Sequence, residues 1–185
     1  WTVYLASDDA AATAERVTEH GGTVVVGPEQ IPGVGVMAVA VDPTGAAFGI
    51  WQAREMVGFE IADEPGGVAW TDVRVTDVAA AKAFFTAVFG WTYRPVEGAP
   101  TDYVTVHLGP GGAAVGGLGG MTGAPEGTPS HWLTYFSVAD VDAAAERLTA
   151  LGGETLMPAI TTPFGRMGAY ADPTGVPFAL HSVTG

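Results

Sequence analysis

Three stretches of the chain share one order of apolar and polar positions. Each opens on a short run rich in β-branched and aromatic residues, such as WTDVRV (70–75) or WLTYFSV (132–138), which predicts a strand. An Ala-rich stretch follows, with apolar residues at i, i+3 and i+4 spacing, which predicts a helix with one buried face. Three more apolar runs close each stretch, and in the last stretch they are 154–160, 166–172 and 177–183. The pattern therefore predicts a repeated βαβββ unit.

The ends of the helices and the last hairpins are also marked. Short acidic residues precede each helical stretch, and glycines suited to a left-handed stop follow it. The predicted N-caps are Asp9, Asp77 and Asp140, and the predicted stops are Gly21, Gly90 and Gly152. The sequence DPTG at 42–45 and 172–175 predicts a tight hairpin before the final strand. The middle stretch has GPGG (109–112) at the same place.

Direct comparison of the stretches confirms an internal repeat. Residues 9–23 and 140–154 share eight of their fifteen residues. The repeat predicts module 1 (1–52), module 2 (67–121) and module 3 (131–185), joined by linkers 53–66 and 121–130 that are rich in turn-forming residues. The expected fold class is α+β, built from tandem βαβββ modules.

Composition excludes several kinds of partner and site. The 185 residues carry 7 Lys and Arg against 20 Asp and Glu, a net charge of −13, which argues against nucleic acid or an anionic membrane as partner. No apolar run approaches the ~18 residues of a membrane span. There is no Cys, hence no disulfide and no thiolate ligand. The chain opens on Trp1 without a Met or signal peptide, so we expect a cytoplasmic protein and a piece of a longer chain.

The repeat resembles a known family. A βαβββ unit with an Asp-capped helix, Gly90-Trp91 after it, the stretch AAAKAFFTAVFGW (79–91) and a D-P-x-G hairpin resembles the vicinal-oxygen-chelate superfamily of glyoxalases, bleomycin-resistance proteins and extradiol dioxygenases. The closest subgroup is the actinobacterial tandem type, labelled glyoxalase or hydroxylase. The resemblance implies that two modules pair, and that their curled mixed sheets form a cup for a metal and a ligand.

The same resemblance sets the expected domains. Tandem members have four modules and this sequence has three, so residues 67–185 (67–121 with 131–185) are expected to form one complete domain. Residues 1–52 are then half of an incomplete domain.

The resemblance also says where a metal would be held. In metal-using members one ligand stands seven residues before the capping Asp, and a Glu stands seven after the first residue of the final hairpin turn. Here the first positions are Thr2, Trp70 and Leu133, and the second are Gly49, Gly116 and Ala179. These residues offer no set of N or O ligands beyond one hydroxyl. We therefore expect no metal and no cofactor, which puts glyoxalase and dioxygenase chemistry in doubt.

Three histidines are candidates for a displaced catalytic or binding site. By strand alternation His107, His131 and His181 are expected on the cup face, where a histidine near neutral pH could act as a base. The alternative is that they are hydrogen-bonded sheet or rim residues without such a role. His20 ends the first helix and is expected to be a solvated capping residue.

Other side chains on the same face are candidate ligand contacts. Trp70, Asp72 and Arg74 should share one face of their strand, while Val73 and Val75 pack on the helix. The remaining aromatic candidates are Tyr103, Tyr135 and Tyr170. Two alternatives remain: an Asp72–Arg74 ion pair that bridges modules, and aromatic side chains that fill the cup. The run GGLGG (116–120) lacks the ending of a phosphate loop.

Three functions are consistent with these residues. The first is a metal-free protein that binds a small aromatic or apolar molecule in the cup. The second is a lyase, isomerase or hydroxylase with a displaced site built from the histidines, Asp72 and Arg74. The third is an assembly module with a filled cup.

Module 1 has no second module to pair with in this sequence. Trp1, Val3 and Leu5 are expected to lie under its own helix. The opposite face is expected to be uncovered, with Thr2, Tyr4, Ala47 and Trp51 on it. A missing upstream module of about 60 residues, similar in length to the other modules, or a homodimer about a twofold axis would cover this face.

Overall fold

The computed structural model describes residues 1–61, 64–100, 102–162 and 164–182. Within these ranges the chain forms three helices and twelve strands in two mixed sheets, which confirms the α+β class. The last residue of the predicted strand 177–183 lies outside the described residues. None of the helices formed by the described residues is long and apolar enough to cross a membrane.

All three modules follow the predicted βαβββ order. Module 1 contains β1 Tyr4–Ala6, α1 Ala10–Glu19, β2 Thr23–Ile31, β3 Gly35–Val41 and β4 Ala47–Ala53. Module 2 contains β5 Val68–Arg74, α2 Val78–Phe89, β6 Trp91–Pro95, β7 Val104–Leu108 and β8 Ala114–Gly119. Module 3 contains β9 His131–Ser137, α3 Val141–Ala150, β10 Glu154–Thr162, β11 Gly165–Ala171 and β12 Pro177–Ser182.

The predicted caps and turns are confirmed. The carboxylates of Asp9, Asp77 and Asp140 accept backbone N–H groups of the first helical turns. Gly21, Gly90 and Gly152 have φ of 87°, 69° and 89°, the left-handed region where a side chain is strained. In both DPTG turns the Asp carboxylate accepts two hydrogen bonds from the Thr that follows two residues later. The backbone N–H and the hydroxyl of that Thr are the donors.

Strand order is the same in every module. The first strand pairs in parallel with the last, and the last three strands form an antiparallel meander, giving β1-β4-β3-β2, β5-β8-β7-β6 and β9-β12-β11-β10. Module 1 forms a four-stranded sheet of its own, and the other eight strands belong to the second sheet.

The chain divides into two compact units. The N-terminal unit comprises residues 2–58 and 72–132, and the C-terminal unit comprises residue 1, 59–71 and 133–185. The division falls within β5 and β9. The expected pairing of 67–121 with 131–185 into one domain stays a prediction.

Each unit has its own core. In the N-terminal unit α1 and α2 pack around the rings of Phe48, Phe84 and Phe85, which are at most 2% exposed. Leu5 packs on this core, as expected of the inner side of β1. The C-terminal unit buries Val141, with Tyr170 and Leu180 of its sheet.

Trp1 differs from the expectation for module 1. It is 66% exposed, and its ring packs on Phe136 at 4.8 Å between centroids instead of lying under α1. The reason is that β1 begins only at Tyr4, so strand alternation does not extend back to Trp1.

Candidate functional site

Strand β5 places two charged side chains on the sheet face that points away from the core. Val73 and Val75 are 0% and 1% exposed and lie in the core cluster with α2, as predicted. Asp72 and Arg74 alternate with them and so point to the opposite face. Asp72 is only 3% exposed, and Arg74 is half-buried. A buried carboxylate on this face must have its charge compensated by hydrogen bonds, because desolvation would otherwise be costly.

A tyrosine provides one of those bonds. The hydroxyl of Tyr103, just before β7, donates to Oδ1 of Asp72 at 2.9 Å. The backbone of Gly117 in β8 pairs with Asp72, and a Cβ at Gly117 would overlap both the carboxylate and the Tyr103 hydroxyl. The Asp72–Tyr103 pair therefore requires glycine at position 117.

The neighbouring glycines accommodate the rest of this polar cluster. A Cβ at Gly119 would lie 2.9 Å from the Tyr103 ring and 3.3 Å from Nη1 of Arg74. Arg74 Nη2 donates to the carbonyl oxygen of Thr122 at 3.3 Å. The run GGLGG is thus a signal that the sequence analysis missed: its glycines make room for bulky polar side chains from neighbouring segments. We call Asp72, Arg74, Tyr103, Gly117 and Gly119 the β5 polar cluster.

His107 lies in the same unit but is fully engaged by the protein. It is 5% exposed; its Nδ1 is 2.8 Å from the carbonyl oxygen of Gly112 and its Nε2 is 2.8 Å from the hydroxyl of Thr105. The carbonyl can only accept, so Nδ1 carries the proton, and in the neutral ring Nε2 accepts from Thr105. With both ring nitrogens bonded, His107 holds the turn between β7 and β8.

The other histidines each make one bond to a backbone carbonyl. His131 Nδ1 donates to Pro129 O at 2.9 Å, and His181 Nε2 donates to Phe164 O at 2.8 Å. Both rings are half-buried. His20 is the exposed C-cap residue of α1, as expected.

The remaining candidates belong to the C-terminal unit and fall on two faces. Tyr135 pairs with Ala179, and β12 alternation puts His181 on the same face as Ala179, as the sequence predicts. Tyr170 differs: it pairs with Phe178 and is 1% exposed within the core cluster that contains Val141 of α3. Tyr170 was assigned to the other face as the counterpart of His107, but strand pairing makes the core residue Val106 its counterpart, because Thr105 pairs with Gly117 as Ala169 pairs with Ala179. Trp70 is half-buried in β5.

Asp142, Tyr170 and Tyr93 have shifted pKa values. The Arg166 guanidinium donates to both carboxylate oxygens of Asp142, at 2.6 and 2.7 Å, and this bond lowers the pKa of Asp142. Burial raises the pKa of Tyr170, whose hydroxyl has no hydrogen-bond partner among the described residues. Burial also raises the pKa of Tyr93 to about 12.

Strand register tests whether the family metal would fit. Tyr4, Asp72 and Tyr135 stand five residues before their capping Asp and pair with Gly49, Gly117 and Ala179 respectively. In module 2 the residue that corresponds in pairing to Gly49 and Ala179 is therefore Gly117 and not Gly116, because the β7–β8 hairpin has a register shift of one residue.

The residues at these positions do not fit a metal chelate. At Gly49 and Gly117 any side chain would overlap Tyr4 or the Asp72–Tyr103 pair, and Ala179 is apolar. Among the described residues no group of three or more His, Asp or Glu side chains is arranged to hold a metal ion.

Comparison with known proteins connects this architecture to a family. The model of the glyoxalase/bleomycin resistance protein/dioxygenase superfamily matches residues 67–180. A Mycobacterium bovis protein named "Putative glyoxylase CFP32" is 36% identical over 181 residues. The match covers 97% of this chain and 68% of the relative. The anthracycline biosynthesis protein DauV of Streptomyces sp. is 36% identical over 184 residues, covering 97% of this chain and 64% of the relative.

Solved structures show the same fold. The Mn(II)-bound glyoxalase from Novosphingobium aromaticivorans aligns with a TM-score of 0.65 at 16% identity, over 97% of this chain and 61% of that chain. The 2,2',3-trihydroxybiphenyl 1,2-dioxygenase of Sphingomonas wittichii aligns with a TM-score of 0.60 at 19% identity. The alignment covers 97% of this chain and 68% of that chain. The family resemblance of the βαβββ repeat is thereby confirmed, and the chain belongs to the glyoxalase/bleomycin resistance protein/dioxygenase superfamily.

Proposed function

We propose that the protein binds a small aromatic molecule at the β5 polar cluster, without the metal ligands of the family. The observation that carries the proposal is the buried Asp72 carboxylate held by Tyr103. Carboxylates are rarely buried in a sheet without a structural partner or a ligand, since their desolvation is costly. Here the cluster lies on the face away from the core, so it does not serve to pack α2.

The chemistry of the cluster suggests the kind of ligand. Tyr103 and Arg74 are half-buried, so a ligand can reach the phenol ring and the guanidinium. An aromatic ring can stack on either of these planar groups, and the guanidinium can donate to a carbonyl or an acidic group on the ligand. Two relatives are named anthracycline biosynthesis proteins, which makes a hydroxylated polycyclic aromatic compound the first ligand class to test.

Native mass spectrometry of the purified full chain tests the proposal directly. We expect an organic adduct, or saturable uptake of a hydroxylated aromatic compound such as an anthracycline, with no stoichiometric divalent metal. Arg74→Gln and Tyr103→Ala should each weaken binding by about tenfold or more, as for buried aromatic or Arg contacts.

The matched control is Arg94→Gln, an exposed arginine in β6 of the same unit. Equal binding by Arg74→Gln, Tyr103→Ala and the control would contradict the proposal. So would a stoichiometric metal retained by the purified protein.

A second candidate function is a glyoxalase-, lyase- or hydroxylase-type enzyme with a histidine base. The bond from His131 Nδ1 to the Pro129 carbonyl favours it, because it leaves the Nε2 lone pair as the basic site of the ring. Turnover that falls with the titration of a histidine and is lost in His131→Gln would support this function. Turnover unchanged in His131→Gln and His181→Gln would exclude it.

A further inference from the structure

Helix α3 differs from the other two helices in how little of it is buried. Helices α1 and α2 each bury four residues, whereas α3 buries only Val141. Its outer side forms the wall of an apolar surface groove of about 330 Å³ in the C-terminal unit. The groove is lined by Ala144, Arg147, Leu148, Leu151, Asp172, Pro173, Phe178 and Leu180. Leu151 is 70% exposed. We call this surface the α3 groove.

The internal repeat shows what such a groove accepts. The counterparts of its lining residues in module 1 are Thr13, Arg16, Val17, His20, Asp42, Pro43, Phe48 and Ile50. That surface of module 1 is covered by α2. The Phe48 ring meets the rings of Phe84, Phe85 and Phe89 at centroid distances of 6.1, 5.7 and 5.8 Å. The rings of Phe84 and Phe85 are at most 2% exposed, and Phe85 also stacks on Trp91 at 4.6 Å between centroids.

Two equivalent glycines locate the difference between the sites. A Cβ at Gly22 would contact Val17, the carbonyl oxygen of Val41 and the ring of Phe84. A Cβ at the counterpart, Gly153, would contact Leu148 and the carbonyl oxygen of Ala171, which correspond to the first two of these. Module 3 therefore reproduces the side chain and the carbonyl oxygen of this surface, and in module 1 the Phe84 ring of α2 lies against them.

The charge of the groove fits a helix end. In module 1, Arg16 Nε donates to the carbonyl oxygen of Val88, in the last turn of α2, at 3.2 Å. The C-terminal end of a helix carries partial negative charge, so this contact is favourable. The counterpart Arg147 is exposed at the edge of the α3 groove, where it can receive the last turn of a helix in the same way.

We propose that the α3 groove is the docking surface for a helix of a further βαβββ module, a helix that carries a ridge of aromatic residues as α2 does. The occupant is a separate module and not a second copy of this chain. In a second copy α2 is already covered by its own α1, and neither α1 nor α3 carries an aromatic residue. The proposal does not depend on the ligand site.

A helix-stabilised, fluorescently labelled peptide with the sequence of residues 77–91 serves as the probe, titrated with the full chain. We expect saturable binding by fluorescence anisotropy. Leu148→Asp and Leu151→Asp should each weaken it more than about tenfold, as for a central apolar contact. Arg147→Gln should weaken it by a smaller factor. Leu151 is largely exposed, so its replacement tests the surface even where Leu148→Asp disturbs folding.

The controls are a surface variant and an altered probe. Leu156→Asp changes a leucine that is 52% exposed in β10, outside the groove, and should bind like the wild type. A peptide with Ala in place of its three Phe residues should not bind. The proposal is overturned if the wild type does not bind the probe, if both groove variants bind as well as Leu156→Asp, or if the Ala peptide binds equally. It is also overturned if sedimentation equilibrium shows a wild-type dimer that Leu151→Asp dissociates, because the occupant is then a second copy.

Discussion

The hydroxyl of Tyr103 donates to Oδ1 of Asp72 at 2.9 Å, and the bond lies over the backbone of Gly117. This arrangement places the carboxylate and the phenol hydroxyl in the space that a side chain at position 117 would occupy.

Replacement of Gly117 by Ala should destabilise the protein. The added methyl group has to displace the Asp72 carboxylate and the Tyr103 hydroxyl, and a forced rearrangement of this kind costs roughly 1–3 kcal/mol. Urea unfolding should show the midpoint shift. The matched control is Gly27→Ala in β2, where a Cβ meets nothing within 4 Å. An equal decrease in the free energy of unfolding in both variants would show that Asp72 and Tyr103 make room for the methyl group at position 117 without destabilising the protein.

Replacement of Tyr103 by Phe should also destabilise the protein while leaving the ring in place. The buried Asp72 carboxylate loses a donor, and an unsatisfied buried group costs roughly 1–3 kcal/mol. Thermal unfolding checks this, with Tyr4→Phe as the control, because Tyr4 is 44% exposed. No difference from the control would mean that Asp72 is adequately solvated without Tyr103.

One part of the β5 polar cluster follows from the local sequence pattern and another part does not. Alternation along β5 correctly predicted that Asp72 and Arg74 oppose Val73, because strand periodicity is a local property. The caps and DPTG turns were predicted for the same reason. The partner of Asp72 was not, since it depends on a close approach between segments far apart in the chain. The glycine run was the signal for that approach, and it has no periodicity to reveal it.

Tyr170 shows a second limit of sequence reasoning. Its face was inferred from His107, whereas strand pairing makes Val106 its counterpart, and an offset of one residue reverses the face, since side chains alternate along a strand. A repeat alignment without gaps does not reveal such a shift. A register shift in the β7–β8 hairpin likewise places Gly117, and not Gly116, opposite Asp72.

The turn aspartate Asp172 should make stability depend on acid pH. The Thr174 hydroxyl, followed by the backbone N–H of Val176, lowers the pKa of Asp172 below its ordinary 3.8. A lowered folded-state pKa gives stability that is present above the unfolded value and lost as pH falls through the folded value. Asp172→Asn should therefore be less stable than wild type at neutral pH. The difference in unfolding free energy between the two proteins should become smaller below about pH 4. Urea unfolding across this pH range checks it, with the exposed Glu126→Gln as control. A difference in unfolding free energy that does not change with pH would show that Asp172 is not the group responsible.

Tyr93 should make stability depend on alkaline pH. Burial raises its pKa to about 12 from 10.0, so the folded state retains the proton more strongly than the unfolded chain. The contribution of protonated Tyr93 to the free energy of unfolding is complete below pH 10.0. It is lost as pH rises toward about 12. Ultraviolet titration of phenolate should show a late step that decreases in Tyr93→Phe and persists in Tyr4→Phe. An unchanged late step in Tyr93→Phe would assign it to another tyrosine.

The aromatic ridge of α2 also sets a limit on how the chain can be shortened. Phe84 and Phe85 owe their burial to contacts that include Phe48 and the rest of module 1. A truncation at the 53–66 linker would remove the Phe48 ring from Phe84, Phe85 and Phe89, and would expose part of this ridge on a helix with few charges. Contiguous apolar patches of this kind promote self-association. Residues 1–52 therefore shield the apolar face of α2 from water. A fragment of module 2 expressed without them is expected to aggregate.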